Sequence, residues 1–281
     1  MNKIVKLKKR INQAFSNNFG LKNVLSTSLS DNRSYPNFCN KASIDYRIFT
    51  KFRRNEIYQQ ILEHVSFETG NLYLEEIKKN EITLLKHIED FKINDNWGTP
   101  ELFTYAMIGK ISPSTLRYIK VYSDLRLHFN NLDNKSICEI GVGYGGQCRI
   151  VNSINSPKSY TLVDIKPALR LSQTYLDNYI LNSKIEYKTM NELDKQDYDL
   201  VISNYAFTEL PRSIQDVYLK KVILNSKSGY IIYNEITPDY FNSYKREELL
   251  TIIPNSYIVN EIPLTHKNNC VILWGTSSSK D

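Results

Sequence analysis

The feature that most constrains this chain is a glycine-rich run that directly follows a short apolar segment. Residues 137–146 read ICEIGVGYGG, and residues 147–151 continue as the start of a helix. Two of the glycines let the backbone turn tightly and approach a ligand, and a further glycine lets the helix pack against the strand. The run therefore predicts a nucleotide-binding strand–loop–helix unit. Its candidate cofactor contacts are Gly141, Gly143, Tyr144 and Gly145.

The glycine run is compatible with two kinds of nucleotide ligand. Gly141, Gly143 and Gly146 satisfy G-x-G-x-x-G, a pattern of dinucleotide-binding folds, so an NAD-dependent oxidoreductase is the more distant alternative. Glu139, two residues before the first glycine, suits a cationic ligand better than a pyrophosphate and is a further candidate cofactor contact. The E-x-G-x-G-x-G pattern resembles that of class I S-adenosylmethionine (SAM) methyltransferases, whose ligand carries a sulfonium and an ammonium group.

Alternating strands and helices are predicted after Asp133. The five strands that follow first are separated by helical or mixed stretches, and the last two face each other across a loop, which indicates a mostly parallel sheet with an antiparallel end. We predict an α/β, Rossmann-like fold with a seven-stranded sheet and helices on both faces. The predicted strands are 136–140, 160–163, 185–187, 199–203, 230–233, 257–259 and 270–274.

A helical region is predicted before this sheet, so the chain divides into residues 1–130 and a SAM-binding catalytic domain of residues 131–281. An amphipathic helix is predicted near Ile4 to Phe15, a Ser- and Asn-rich loop over 25–40, and helices over 53–91 and again over 101–111. Ser112 and Pro113 are typical of a helix start, and that helix is predicted to continue towards Phe129.

Polar residues follow two of the predicted strands. Asp164 ends the second strand about twenty residues after the glycine run, where a carboxylate can accept both ribose hydroxyls; the alternative is a helix cap. Asn204 and Tyr205 follow the fourth strand and are cofactor or substrate candidates. Glu209 is a candidate acid or base, or else an acid that stabilises the next helix through its dipole.

Four segments together resemble a bacterial sugar O-methyltransferase family. They read EIGVGYGGQCRI, SNYAFTEL, ISPSTLRYIKVYSDL and NNCVILWG, and the likeness covers roughly residues 97–275. The resemblance implies a SAM-dependent enzyme of surface polysaccharide biosynthesis, which releases S-adenosylhomocysteine (SAH). It also implies that Arg117 and Tyr118 lie over the cofactor, with Arg117 free to pair with the methionine carboxylate. A surface arginine is the alternative for Arg117.

The acceptor of the methyl group is less constrained than the reaction. A sugar hydroxyl needs a general base, and the candidates are His266, in the loop before the last strand, and Glu209. The acceptor is expected to be a small or nucleotide-linked sugar, and the alternative is a phosphate or phosphoramidate oxygen on a nucleotide-linked capsule precursor. No metal is predicted, although a divalent ion could acidify the hydroxyl instead.

Composition excludes several other classes of protein. The formal charge of +6 falls short of a nucleic-acid-binding surface, although it weakly favours an acidic ligand. Four cysteines lie far apart, which excludes a zinc knuckle or a disulfide framework. No apolar run reaches the length of a transmembrane helix, and the first ten residues lack the features of a secretory signal. A cytoplasmic protein is therefore predicted, and a homo-oligomer is its expected state of assembly.

Overall fold

The structure is a computed structural model that describes residues 33–277. The amphipathic helix predicted near Ile4 to Phe15 lies outside the described residues. The described N-terminal part is helical, as predicted, and consists of α1 (Ser34–Ile44), α2 (Tyr46–Phe49), α3 (Glu56–Ile61), α4 (Phe67–Glu81) and α5 (Ile88–Lys92), joined by short 3-10 turns.

Helix α1 occupies much of the segment predicted to be a loop, so that prediction is wrong over residues 34–40. Tyr35, Phe38, Cys39 and Ala42 are all buried and recur at helical spacing. Serine and asparagine weaken a helix only slightly, and burial of one apolar face outweighs that local preference.

A β-hairpin replaces the helix predicted over residues 101–111. Strands β1 (Phe103–Tyr105) and β2 (Gly109–Ile111) pair antiparallel. The connecting turn contains Met107 at φ 71°, and Gly109 has φ 73°, values that end any helical continuation. The next helix, α6 (Pro113–Phe129), begins as predicted because the Ser112 side chain accepts a hydrogen bond from the Thr115 amide.

The predicted seven-stranded sheet is confirmed. The strands are β3 (Ser136–Ile140), β4 (Ser159–Val163), β5 (Lys184–Lys188), β6 (Leu200–Asn204), β7 (Gly229–Tyr233), β8 (Tyr257–Asn260) and β9 (Cys270–Trp274). Their order in the sheet is β5-β4-β3-β6-β7-β9-β8, and within this sheet β9 alone runs opposite to the other six strands. The chain order therefore reverses beside β3, which is the strand that leads into the glycine run.

Each face of this sheet carries its own hydrophobic core, because successive strand side chains point to opposite faces. Ile137 packs with the N-terminal helices, whereas its neighbour Cys138 belongs to the core on the other face. The helices after β3 are α7 (Gly146–Asn152), α8 (Lys166–Leu176), α9 (Arg212–Lys221) and α10 (Arg246–Ile252). Residues of α7 and α8 join the first core, and those of α9 and α10 join the second.

The N-terminal helices share the first core with the sheet. Helix α1 packs against α8, and α4 packs against α6. The predicted domain division after residue 130 stays a prediction. Within residues 33–277, no helix combines the length and the apolar character that a bilayer crossing requires.

Candidate functional site

The glycine run forms a tight loop between β3 and α7, at the point where the strand order reverses. Gly143 has φ 55°, and a β-carbon built there would lie 2.7 Å from Leu62 Cδ1. Gly141 has φ 78°, and a β-carbon there would lie 2.0 Å from the β-carbon of Ala206. A side chain at either position would therefore be strained and would collide with its neighbour. Ligands of open α/β sheets bind in such a crevice at the carboxyl ends of the strands.

Asp164 reaches into this loop from the end of β4. Its Oδ2 accepts the Gly143 amide at 3.1 Å, and its Oδ1 accepts the Ile165 amide at 2.7 Å. The residue is partly exposed, so its carboxylate can also take hydrogen bonds from a ligand. A carboxylate at this strand end, about twenty residues after the glycine loop, can accept the ribose hydroxyls of either SAM or a dinucleotide.

Glu139, which the sequence suggested as a contact to a cationic ligand, is buried and bonded to a neighbouring strand. It is 2% exposed, and its Oε2 accepts the hydroxyl of Tyr160 on β4 at 2.7 Å. Burial raises the pKa of Glu139 to about 8, so the group is mostly neutral at pH 7. A neutral Glu139 therefore carries no electrostatic argument against a dinucleotide, and a direct cofactor contact by Glu139 stays a prediction.

A segment between α3 and α4 covers the glycine loop. Leu62 lies over Gly143, and its carbonyl accepts Arg117 Nη2 at 3.1 Å. Arg53, which is fully buried, fixes this cover through Glu63 at 2.7 Å and Asp95 at 2.8 Å. Removing one partner of such a buried ion pair would leave an uncompensated charge, so these contacts hold the Glu63 end of the cover, whereas Leu62 is not part of them.

Two tyrosines predicted at the cofactor lie in the core between this cover and the loop. Tyr144 is fully buried, with the guanidinium of Arg53 4.9 Å from its ring centroid. The ring of Tyr118 lies 5.8 Å from that of Tyr144. Both rings help to hold the loop against the helical cover, and their role as cofactor contacts stays a prediction.

The end of β6 carries a second group of polar residues. The Oδ1 atom of Asn204 is buried and has no hydrogen-bond partner among the described residues. Tyr205 follows with φ 71°, a left-handed conformation that is uncommon outside glycine. Its hydroxyl donates to Glu261 Oε1 at 2.5 Å. Tyr205, Glu261 and Arg117 line one cavity of about 10 Å³, roughly the room for one water molecule.

The two predicted bases lie in different loops. Glu209 belongs to the single turn Phe207–Glu209 after β6, and its Oε1 accepts Asn234 Nδ2 at 2.6 Å. His266 lies in the loop between β8 and β9 and is partly buried; its carbonyl accepts the Asn269 amide at 2.9 Å. Their catalytic roles stay predictions.

Sequence reasoning missed Glu261. Strand β8 runs parallel to β3 through β7, because both β7 and β8 pair antiparallel with β9. Its carboxyl end therefore lies at the same edge of the sheet as Asp164 and Asn204. The rule that selected those two, a polar residue directly after a strand, would also have selected Glu261, one residue beyond Asn260.

The donor and acceptor groups of the crevice fit SAM. Asp164 can accept ribose hydroxyls, the glycine loop gives backbone access, and Arg117 offers a guanidinium for the methionine carboxylate. The buried Asn204 oxygen needs a donor, which an ammonium or a hydroxyl supplies. Because Leu62 lies directly over Gly143, the cover has to move for the cofactor to enter. Within residues 33–277, no group of three or more His, Cys, Asp or Glu side chains could hold a metal ion.

Among the comparisons with known proteins, only the comparison with solved structures gives matches. No protein-family model matches it, and neither does any curated protein. A protein from Galdieria sulphuraria assigned as a sarcosine dimethylglycine methyltransferase is similar, with 15% identity and a TM-score of 0.40 over 52% of this chain and 65% of that one. MtNAS in complex with MTA and tNA has 12% identity and a TM-score of 0.45 over 97% of both chains.

A third solved structure is the methyltransferase domain of bacterial CtHen1. It has 12% identity and a TM-score of 0.42, covering 56% of this chain and 96% of that one. The chain thus spans about two thirds of the first of these proteins and nearly all of the other two. At such identities and scores the likeness carries no conclusion, and the site has to be judged on its own residues. The strand order and the helices on both faces of the sheet define a Rossmann-like α/β fold.

Proposed function

We propose that this protein is a SAM-dependent O-methyltransferase that methylates a sugar hydroxyl in bacterial surface polysaccharide biosynthesis. The observation that carries the cofactor assignment is the Asp164 carboxylate on the Gly143 amide, 3.1 Å away. It places an acceptor for ribose hydroxyls beside the glycine loop. The choice of SAM over NAD is supported by the resemblance of the E-x-G-x-G-x-G pattern. The sugar acceptor is supported by the family resemblance of residues 97–275.

Each residue of the crevice would contact a different part of SAM. Bound SAM would supply a methyl group on a sulfonium. Asp164 would accept the ribose hydroxyls, and the Gly141–Gly145 backbone would lie along the cofactor. Arg117 would exchange its bond to the Leu62 carbonyl for the methionine carboxylate, a stronger charge-assisted contact. Asn204 would accept a hydrogen bond from the ammonium group.

The acceptor side leaves two chemistries to distinguish. A phosphate or phosphoramidate oxygen on a nucleotide-linked precursor is favoured by the cations Arg117 and Lys120, which line the same cavity as Tyr205. Lys120 is already paired with Asp124 at 2.7 Å, however, which weakens that argument. The cytoplasmic location, the lack of a nucleic-acid partner and a homo-oligomeric state remain predictions.

Calorimetric titration with SAH and with NAD tests the cofactor assignment. We expect saturable SAH binding and none for NAD. Asp164→Ala should weaken SAH binding by about 1–3 kcal/mol, the usual scale for a lost charged hydrogen bond. Asp133→Ala is the matched control, because Asp133 also accepts a backbone amide, that of Ser156, but lies before β3 at the opposite edge of the sheet. NAD binding, or an Asp164→Ala variant that binds SAH normally, would contradict the assignment.

A further inference from the structure

We propose that Tyr205 and Glu261 form the proton-accepting pair of the acceptor site, with Tyr205 passing the proton of an acceptor hydroxyl to Glu261. This inference rests on the proposed function, because it requires a hydroxyl acceptor and SAM in the neighbouring crevice. It adds a catalytic residue and its proton acceptor to a site for which Glu209 and His266 were the sequence candidates.

The hydrogen bonds of Glu261 leave it ready to take a proton. The side chain is 4% exposed, and its Oε1 accepts the Tyr205 hydroxyl at 2.5 Å. Its Oε2 accepts the Thr265 amide at 3.0 Å, and the Thr265 hydroxyl lies 2.9 Å from both oxygens. Both oxygens of this carboxyl group therefore accept hydrogen bonds from its neighbours.

A second residue fixes the direction of these bonds. Asn269 Nδ2 donates to Thr265 Oγ1 at 2.9 Å, so the single hydroxyl proton of Thr265 is directed to Glu261. The carboxylate is therefore held by a network in the β8–β9 loop, independently of Tyr205. It keeps its position when the tyrosine exchanges partners.

The backbone places the Tyr205 hydroxyl beside the cofactor crevice. Tyr205 adopts φ 71° directly after β6, and the next residue, Ala206, lies against Gly141 of the glycine loop. A non-glycine residue in this conformation costs free energy that the surrounding structure has to supply, and such residues cluster at functional sites. This backbone therefore connects the residue that packs on the glycine loop, Ala206, to the phenol that meets the buried carboxylate.

The surroundings of Tyr205 favour its neutral form, so it would pass a proton on to Glu261 rather than act as a base by itself. Burial, Tyr73 and Glu261 hold the pKa of Tyr205 well above its usual range, although Arg117 opposes this. Lys120 also faces the cavity but is paired with Asp124, which accepts the Tyr230 hydroxyl as well. A tyrosine that keeps its proton can accept one proton only if it releases its own, and Glu261 is the group bonded to it.

The proposed step balances in atoms and charge. The acceptor oxygen forms a bond to the methyl carbon while the carbon–sulfur bond breaks and its electron pair stays on sulfur. The hydroxyl proton of the acceptor moves to Tyr205 Oη as the tyrosine proton moves to Glu261 Oε1. The positive charge on sulfur and the negative charge on the carboxylate are neutralised together, so the step does not change the net charge of the site.

Two variants and a control test the pair by kinetics. With SAM and a panel of UDP-hexoses and methyl hexopyranosides, Glu261→Gln and Tyr205→Phe should each lower kcat by about 10²–10⁴-fold, the usual effect of losing a general base. SAH affinity and the KM for SAM should stay within about twofold. Glu235→Gln is the control, because Glu235 is a partly exposed acid that accepts Asn268 Nδ2 in the same loop. It should keep wild-type kcat.

A measurement that needs no acceptor accompanies the kinetics. In proton NMR of the SAH-bound protein, a short tyrosine–carboxylate bond should give a downfield hydroxyl resonance that disappears in Tyr205→Phe and shifts in Glu261→Gln. Wild-type kcat in either variant, no such resonance, or an SAH-binding wild type that methylates none of these hydroxyls would overturn the pair. A wild type that does not bind SAH would instead overturn the proposed function.

Discussion

The carboxyl edge of the sheet has two halves that are built in different ways. The half that we propose binds the cofactor, called the cofactor half, consists of the glycine loop and Asp164, and it depends on backbone geometry within one strand–loop–helix unit and the next strand. The half that we propose binds the acceptor, called the acceptor half, depends on a network of side chains, in which Tyr205 and Glu261 are 56 residues apart. On this proposal, the backbone decides which ligand fits the first half, whereas a few side chains decide which substrate fits the second.

The two halves also use buried carboxyl groups differently. Glu139, beneath the cofactor half, accepts the hydroxyl of Tyr160, and burial makes it mostly neutral at pH 7. Glu261, in the acceptor half, accepts hydrogen bonds from Tyr205 and Thr265. A neutral Glu139 does not repel Asp164, whereas the hydrogen bond from Tyr205 holds Glu261 where it could take up a proton.

The largest effect is expected from closing the cofactor half. In Gly143→Val, a branched side chain would need a disfavoured φ and would meet Leu62, so SAH binding should fall by more than about 100-fold. Calorimetry with SAH measures this. Gly109→Val is the matched control, because Gly109 also has a positive φ, of 73°, but a β-carbon there meets only Lys92 Nζ at 3.6 Å. Near-wild-type affinity in Gly143→Val would refute the loop assignment.

A smaller effect, on stability, is expected at Glu139. Its folded pKa of about 8 lies above the ordinary value of 4.5, so the stability it contributes is present below about pH 4.5 and is lost as the pH rises to about 8. Glu139→Gln removes this loss. Its free energy of unfolding relative to wild type should increase with pH by up to about 5 kcal/mol.

Urea denaturation at pH 5, 7 and 8.5 measures this pH dependence. Glu247→Gln is the control, because Glu247 is exposed and its pKa is lowered chiefly by a backbone hydrogen bond. A difference between Glu139→Gln and wild type that stays constant over this pH range would show that Glu139 is ionised in the folded protein.

Local patterns in the sequence account for most of the fold. The seven strands could be predicted because each is a short apolar run bounded by polar turns, and α6 because Ser112 and Pro113 mark its first turn. Helix α1 was missed because its stability comes from packing on α8 rather than from its own residues. The hairpin was missed because its turn depends on Met107 in an unusual backbone conformation.

The site could be predicted to the extent that it is local. The glycine loop and Asp164 lie where the spacing placed them, whereas Glu261 joins Tyr205 only through the order of the strands in the sheet. The burial of Arg53 beside Glu63 and Asp95 likewise has no signal in a single sequence, because its partners are distant along the chain. Long-range contacts of this kind have to be seen in a structure.

Hydrogen–deuterium exchange with and without SAH tests most directly whether the crevice under the helical cover binds SAM. SAH should slow exchange in segments 139–146, 162–166 and 203–207 and alter it in segment 55–66, which covers the loop. The hairpin of β1 and β2 should exchange equally in both states, and NAD should change none of these segments. Unchanged exchange at 139–146 with saturating SAH, or equal protection by NAD, would contradict the account.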